Sequence, residues 1–219
     1  MSGVIYLLAG NPYARNRKPD PAMQAFFKEV GKKEPRVAYI GTASGDDLDF
    51  FEAMRAHLRV CGAGEVELIP LCAAADGFAD ARKALGRADA VFVSGGDVEE
   101  GMNGLRACDG LIAYLRKLFE RDVPFMGLSA GSIMLTRGWV RWAEKSTGRD
   151  TLFDCLGFAP IYCDVHGEAD DWDELKALLR LLPERTVGYG IRAGDALRVH
   201  EGTVKHMGTD RAVVMERRP

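Results

Sequence analysis

The sequence has no apolar run near the length that a membrane helix needs. Its longest apolar runs fall well short of the ~20 residues required to cross a bilayer. Its first residues, Met1–Val4, also lack the charged segment, apolar segment and cleavage site of a secretory leader. We therefore expect a cytoplasmic protein that does not associate with a membrane.

Basic clusters, paired cysteines and phosphate-binding loops are also missing. The net charge is −3 and no Lys/Arg block occurs, so nucleic acid is not an expected partner. The five cysteines are an odd number without a Cys-x-x-Cys pair, which indicates neither a disulfide framework nor a zinc ribbon. Neither a Walker loop nor a Gly-x-Gly-x-x-Gly motif is present. We expect no cofactor and no metal.

What the chain does have is an alternation of strand and helix patterns. Its 219 residues, 47% of them hydrophobic, can form one domain over residues 1–219. The alternation predicts an α/β fold of three layers, in which helices cover both faces of a mostly parallel sheet. Short antiparallel strands are expected at the C-terminus. Sites in such sheets form where the strands end.

Individual segments are predicted from their periodicity. Apolar residues three or four apart predict one amphipathic helix from Met102 to Phe119, whereas Trp139–Thr151 is interpreted as an irregular packed loop. A strand is predicted at Ile161–Asp164, and Glu201-Gly202 is a hairpin turn between late strands. Further strands are predicted at Val4–Ala9, Val37–Ile40, Val66–Ile69, Ala90–Val93, Val187–Ile191, Ala196–Val199, Thr203–Lys205 and Ala212–Met215.

The most informative motif is Gly127-Leu128-Ser129-Ala130-Gly131. An apolar run enters it and a helix-compatible run leaves it, which is the pattern of a nucleophile elbow. Glycines fit such a tight turn, because flanking side chains would collide there. The helix that follows points its first N–H groups at the place where negative charge develops during acyl transfer. Ser129 is therefore the candidate nucleophile.

A serine nucleophile needs a base, and among the four histidines His166 is the best candidate. It follows one predicted strand and precedes a helix, so we expect it at the same sheet edge as Ser129. The alternative is a loop histidine that hydrogen-bonds Asp164 or Glu168.

Three segments together resemble the signatures of peptidase family S51. They are Phe92–Asp97, Gly127–Ser132 and Cys163–His166. That family contains peptidase E (aspartyl dipeptidase) and cyanophycinase and has the class I glutamine amidotransferase-like fold. The resemblance runs in order over nearly the whole chain, and the length is nearer to the dipeptidase branch.

The resemblance implies roles for individual residues. Ser129 would be the nucleophile and His166 the base, while the backbone N–H groups of Gly96 and Ala130 would form the oxyanion hole. The sequence departs from the family at the third triad member, because Ala193 stands where the family has glutamate. Asp195 lies two residues on, and extended backbone returns to the same face after two residues. It is our candidate for the orienting acid, and a turn residue after Gly194 is the alternative.

These residues predict a serine peptidase or amide hydrolase that acts on a small peptide substrate through an acyl-enzyme. The resemblance implies a preference for dipeptides with N-terminal aspartate, and Arg192 and Arg15 are candidates for binding a substrate carboxylate. We expect a monomer or a homodimer. A family member that binds a small ligand without turnover, or that hydrolyses a different amide, is the alternative. An amidotransferase is a third option, although that fold usually has cysteine at the elbow.

Overall fold

The computed structural model describes residues 3–10, 18–71, 78–143, 148–208 and 211–218. In these ranges the strands are β1 (Ile5–Leu8), β2 (Val37–Ile40), β3 (Val66–Ile69), β4 (Ala90–Val93), β5 (Phe125–Leu128), β6 (Gly138–Arg141), β7 (Thr151–Asp154), β8 (Tyr162–Val165), β9 (Val187–Ile191), β10 (Ala196–His200), β11 (Thr203–Met207) and β12 (Val213–Glu216). The α-helices are α1 (Pro21–Val30), α2 (Leu48–Cys61), α3 (Phe78–Leu85), α4 (Val98–Ala107), α5 (Leu111–Glu120), α6 (Ala130–Leu135) and α7 (Asp173–Arg180).

The central sheet has seven strands in the order β11-β10-β1-β5-β4-β2-β3. Strands β1, β5, β4, β2 and β3 pair in parallel, each with the next in that order. Strands β10 and β11 form an antiparallel hairpin, and β10 pairs antiparallel with β1. Every residue of β1, β2, β4 and β5 is buried. Strands that are apolar on both faces need cover on both sides, and helices supply it.

Alternate residues of β1 show how the layers form. Ile5 and Leu7 belong to the core beneath α3, α4 and α5, whereas Tyr6 and Leu8 pack with α1 and α2 on the opposite face. The predicted class, a three-layer α/β fold with short antiparallel strands at the C-terminus, is confirmed. None of the helices in the described ranges is long and apolar enough to span a membrane.

The predicted helix from Met102 to Phe119 is wrong, because the structure has two helices there. Helix α4 ends at Ala107 and α5 starts at Leu111, and between them Gly110 has a φ of 81°. The apolar spacing continues across the break, since both helices pack on the same core. Periodicity alone therefore could not reveal the interruption.

The interpretation of Trp139–Thr151 as an irregular loop is wrong at both ends. Strands β6 and β7 pair there as an antiparallel ribbon in which Trp139 is opposite Phe153, with the two rings 6.0 Å apart. By contrast, the hairpin turn at Glu201-Gly202 is confirmed. Both residues have positive φ, 49° and 76°, as a tight turn between β10 and β11 requires.

Candidate active site

Ser129 lies at the end of β5, which pairs with β1 on one side and β4 on the other. Its φ of 51° and ψ of −120° are unusual for a residue with a side chain. Its N–H donates to the Leu8 carbonyl at 2.8 Å. This conformation turns the chain from β5 directly into α6 and leaves the hydroxyl at the sheet edge.

The glycines of the elbow are required by close approach of backbone. A Cβ atom on Gly131 would lie 2.1 Å from the Val93 carbonyl oxygen, and one on Gly127 would lie 2.6 Å from the Gly131 carbonyl oxygen. Neither position can hold a larger residue without moving β4 or α6. The Gly-x-Ser-x-Gly spacing is thus the spacing that this strand-to-helix turn needs.

His166 is placed beside the serine by β8. Its Nε2 lies 2.9 Å from Ser129 Oγ, a distance at which an unprotonated Nε2 accepts the hydroxyl hydrogen. The His166 N–H donates to the Ile191 carbonyl at 2.8 Å, which ties the loop to β9. Strand β8 belongs to the separate three-stranded sheet β12-β9-β8. The histidine therefore reaches Ser129 from a neighbouring sheet, not from the edge of the same sheet as we expected.

The expected oxyanion donors border the same cavity as this pair. Gly96, Ser129, Ala130 and His166 all line a cavity of about 270 Å³. Gly96 has a φ of 142°, and a Cβ atom there would lie 1.8 Å from the Ala43 carbonyl oxygen. Only glycine fits this turn, which lines the same cavity as Ser129. Two N–H groups from different loops can face one oxyanion in such an arrangement.

Asp195 has a different neighbour from the one we expected. Its side chain is 6% exposed, and Oδ2 lies 3.3 Å from Nε2 of His206 in β11. Its backbone is near the site, because the Ala9 N–H donates to the Asp195 carbonyl. The structure gives no hydrogen bond between Asp195 and His166 within the described ranges. Its role as the orienting acid stays a prediction.

The two alternative acceptors for His166 are also engaged elsewhere. Glu168 accepts a hydrogen bond from the Ala193 N–H at 2.7 Å. Asp164 Oδ1 accepts one from the Val165 N–H at 2.7 Å. The position at which the family has glutamate is thus occupied by Ala193, whose N–H binds the carboxylate two residues after His166.

The predicted carboxylate-binding arginines do not lie among the described residues that line the cavity. Arg192 is half-buried, and its Nε has no hydrogen-bond partner. Arg15 lies outside the described residues. Both assignments stay predictions.

Sequence reasoning missed the acidity of the cavity. Its lining includes Asp97, Asp164, Asp170 and Glu174, and no Lys or Arg is among the described lining residues. Asp164 was expected only as a possible hydrogen-bond partner of His166. A signal was nevertheless present, because acidic residues recur from Asp164 to Glu174 around the candidate base.

Comparisons with known proteins identify the family of the chain and support its fold. The family model described as peptidase family S51 matches residues 5–207. A solved structure of a peptidase from an acI-B1 Actinobacterium has a TM-score of 0.76 at 17% identity and covers 100% of this chain and 93% of its own. A putative peptidase E protein from Listeria monocytogenes EGD-e has a TM-score of 0.70 at 16% identity and covers 96% of this chain and 100% of its own. None of the curated proteins compared with the chain matches it significantly.

Proposed function

Since this chain belongs to peptidase family S51 and is a serine-type peptidase, we propose that Ser129 and His166 hydrolyse small peptides through an acyl-enzyme. The observation that carries the proposal is the 2.9 Å separation of Ser129 Oγ and His166 Nε2 at the elbow. A serine hydroxyl becomes a good nucleophile when an adjacent base accepts its proton.

The proposed reaction has two halves. Ser129 Oγ attacks the carbonyl carbon of the scissile bond while His166 Nε2 takes the hydroxyl proton. The oxyanion is held by the N–H groups of Gly96 and Ala130, which stabilise charge that is absent from the ground state. His166 then gives this proton to the amine as the C–N bond breaks, which leaves the acyl group on Ser129 Oγ. Water gives a proton to His166 as it attacks the acyl carbon, and His166 returns that proton to Ser129 Oγ as the acid is released.

The third member of the machinery is the weakest part of the sequence prediction. We propose Asp195 as the acid that orients His166. Its carbonyl accepts from the Ala9 N–H, one residue before Gly10, which lies next to the His166 ring, and this position supports the proposal. Its carboxylate faces His206 in the present geometry, so a rotation of the side chain would be needed. A triad without its acid keeps part of its rate enhancement, and the Ser129–His166 pair is the essential unit.

The class of substrate depends on the residues that line the cavity around Ser129 and His166. The family resemblance implies a dipeptide substrate with N-terminal aspartate. The described residues that line the cavity, however, would place carboxylates and not cations beside the aspartate side chain. Like charges at close range repel. The lining therefore favours the alternative that this chain hydrolyses a different small amide.

Labelling with a fluorophosphonate probe tests the proposed chemistry. The wild-type protein should become labelled on Ser129, because the probe reacts with serines that a base activates. Ser129→Ala should abolish labelling, and His166→Ala should slow it by about a hundredfold or more. The matched control is Ser132→Ala, since Ser132 lies one helical turn away with its Oγ bonded to the Leu8 carbonyl. Equal labelling of wild type and Ser129→Ala would contradict the proposal.

A further inference from the structure

One wall of the catalytic cavity is built from carboxylates. Asp164 comes from β8, Asp170 from the loop after His166, and Glu174 from the first turn of α7, and all three line the cavity that holds Ser129 and His166. Trp139 Nε1 donates to Glu174 Oε1 at 2.7 Å, which fixes that side chain in place. The three residues, here called the acidic wall, thus converge from different elements.

Asp164 is the member of the acidic wall with an unsatisfied carboxylate oxygen. Its side chain is 5% exposed, and Oδ2 is fully buried without a hydrogen-bond partner. The Leu175 N–H lies near enough to lower the pKa of Asp164 slightly, but no hydrogen bond of normal geometry reaches Oδ2. A buried, unsatisfied carboxylate oxygen is costly. Asp164 also lines the cavity, so a small rotation of its carboxylate towards a donor bound there would remove that cost.

The charges within the acidic wall indicate whether a cationic or an anionic substrate group would bind there. Burial and the nearby charge of Glu174 raise the pKa of Asp164 to about 7. Burial likewise raises the pKa of Glu174, and Asp170 adds to this. The charges of Glu174 and Asp170 thus disfavour the ionised form of Asp164, and the charge of Asp170 disfavours that of Glu174. A cation between them would reverse this effect, whereas a substrate carboxylate would add to the repulsion.

An organic cation fits the acidic wall better than a metal ion does. No group of three or more acidic, histidine or cysteine side chains among the described residues is arranged to hold a metal. The cavity that the carboxylates line has a volume of about 270 Å³, a size that admits an ammonium or guanidinium group on a short carbon chain.

We propose that Asp164, Asp170 and Glu174 bind a cationic nitrogen group of the substrate, so that the peptidase selects peptides with a positive charge beside the scissile bond. This inference rests on the proposed function, since it names the substrate class of the same cavity. The cation has two chemical sources, the α-ammonium of an N-terminal residue and the side chain of Lys or Arg. Aspartate as the N-terminal side chain is selected against.

Binding of uncleaved probes tests the proposal without requiring catalysis. Ser129→Ala protein is titrated by calorimetry with L-lysinamide, L-norleucinamide and the Nα-acetyl forms of both. At least one probe with a free cation should bind about tenfold or more tightly than N-acetylnorleucinamide, which has none; this is the size expected of one hydrogen bond to a charged group. Acetylation weakens binding if the α-ammonium is the occupant, and replacing lysine by norleucine weakens it if the side chain is.

Substitutions in the acidic wall complete the test. In the Ser129→Ala background, Asp164→Asn should reduce the cation preference about tenfold, and Glu174→Gln gives an independent measurement should Asp164→Asn fail to fold. The matched control is Asp173→Asn, which changes the same charge on α7 at a side chain that is 70% exposed. With Asp173→Asn added, the Ser129→Ala protein should bind each probe as tightly as Ser129→Ala alone does.

Three results would overturn the proposal. The first is equal binding of cationic and neutral probes, and the second is a cation preference that survives both substitutions in the acidic wall. The third is tighter binding of L-aspartic acid α-amide than of L-norleucinamide. Failure of the proposed function is recognised separately, because fluorophosphonate labelling of Ser129 in the wild type does not depend on these probes.

Discussion

At the scale of single residues, Ser129 and Asp164 each depart from what a stable core would choose. Ser129 has the backbone angles of a glycine, with φ at 51°, and such conformations cost on the order of 1–3 kcal/mol. Asp164 carries a buried oxygen without a partner. Both lie at one cavity, and strained or unsatisfied groups concentrate where a protein binds or reacts.

The ionisation of Asp164 should make the stability of the protein depend on pH. Burial, with smaller contributions from Glu174 and Asp170, raises the pKa of Asp164 from 3.8 to about 7. Between these values the folded state binds more protons than the unfolded state, so the contribution of Asp164 to stability falls as the pH rises. Since an Asn side chain does not ionise, Asp164→Asn removes this loss of stability at high pH. It also keeps an oxygen that can accept a hydrogen bond from the Val165 N–H.

We therefore expect Asp164→Asn to be more stable than the wild type at pH 8, by roughly 1–3 kcal/mol. The advantage should shrink towards pH 5, where the wild-type carboxyl is protonated. Urea denaturation at both pH values measures the free energy of unfolding, with Asp173→Asn as the control whose difference from wild type stays constant. An advantage that is independent of pH, or one that grows on acidification, would contradict the expected ionisation.

At the scale of secondary-structure elements, the break between α4 and α5 is the most informative feature. Gly110 has a φ of 81°, and a Cβ atom there would lie 3.4 Å from the Phe78 ring. Gly110→Ala should therefore lower the free energy of unfolding by about 1 kcal/mol. In a continuous helix the same substitution would raise stability by about that amount. Thermal denaturation decides the sign, with the exposed neighbour Asp109→Ala as a near-neutral control.

The elements also show what the sequence could and could not predict. The elbow was predictable, because Gly127 and Gly131 are required by contacts within one strand-to-helix turn. The helix break was not, because Met102 and Leu115 face the same core and keep one periodicity across it. The burial of single polar side chains is likewise not evident from local pattern, as His57 in α2 shows, since it is 6% exposed. Its ring contacts Cys61 one helical turn away, and such burial depends on packing against α1.

Long-range packing limited the prediction of the site in the same way. The strand before His166 was recognised from its apolar residues, yet its membership of a second sheet is set by pairing with β9. The convergence of Asp164 and Glu174 also depends on how α7 packs, since residues ten apart in sequence have no fixed relation. Local patterns pointed to Ser129 as the candidate nucleophile, while the side chains that surround it in the cavity are brought together by tertiary structure.

At the scale of the whole molecule, the net charge of the protein has the same sign as the charge of the acidic wall. The chain carries a net charge of −3, and the acidic wall concentrates negative charge beside Ser129. A cleft lined by one sign of charge raises the local concentration of oppositely charged substrates, and salt screens this effect. The acidic wall and the net charge therefore act in the same direction on a cationic peptide.

The rate of hydrolysis should consequently respond to ionic strength in a way that depends on the charge of the substrate. Raising NaCl from about 20 mM to about 500 mM shortens the screening length several-fold. We expect kcat/KM for Lys-Leu to fall by about threefold or more, while kcat/KM for N-acetylnorleucyl-leucinamide, which carries no charge, changes little. Asp164→Asn should reduce the salt dependence for the cationic peptide, and Asp173→Asn should leave more of it intact, because its side chain is exposed to solvent. A uniform salt response of both peptides would mean that the charge of the acidic wall does not act on the substrate.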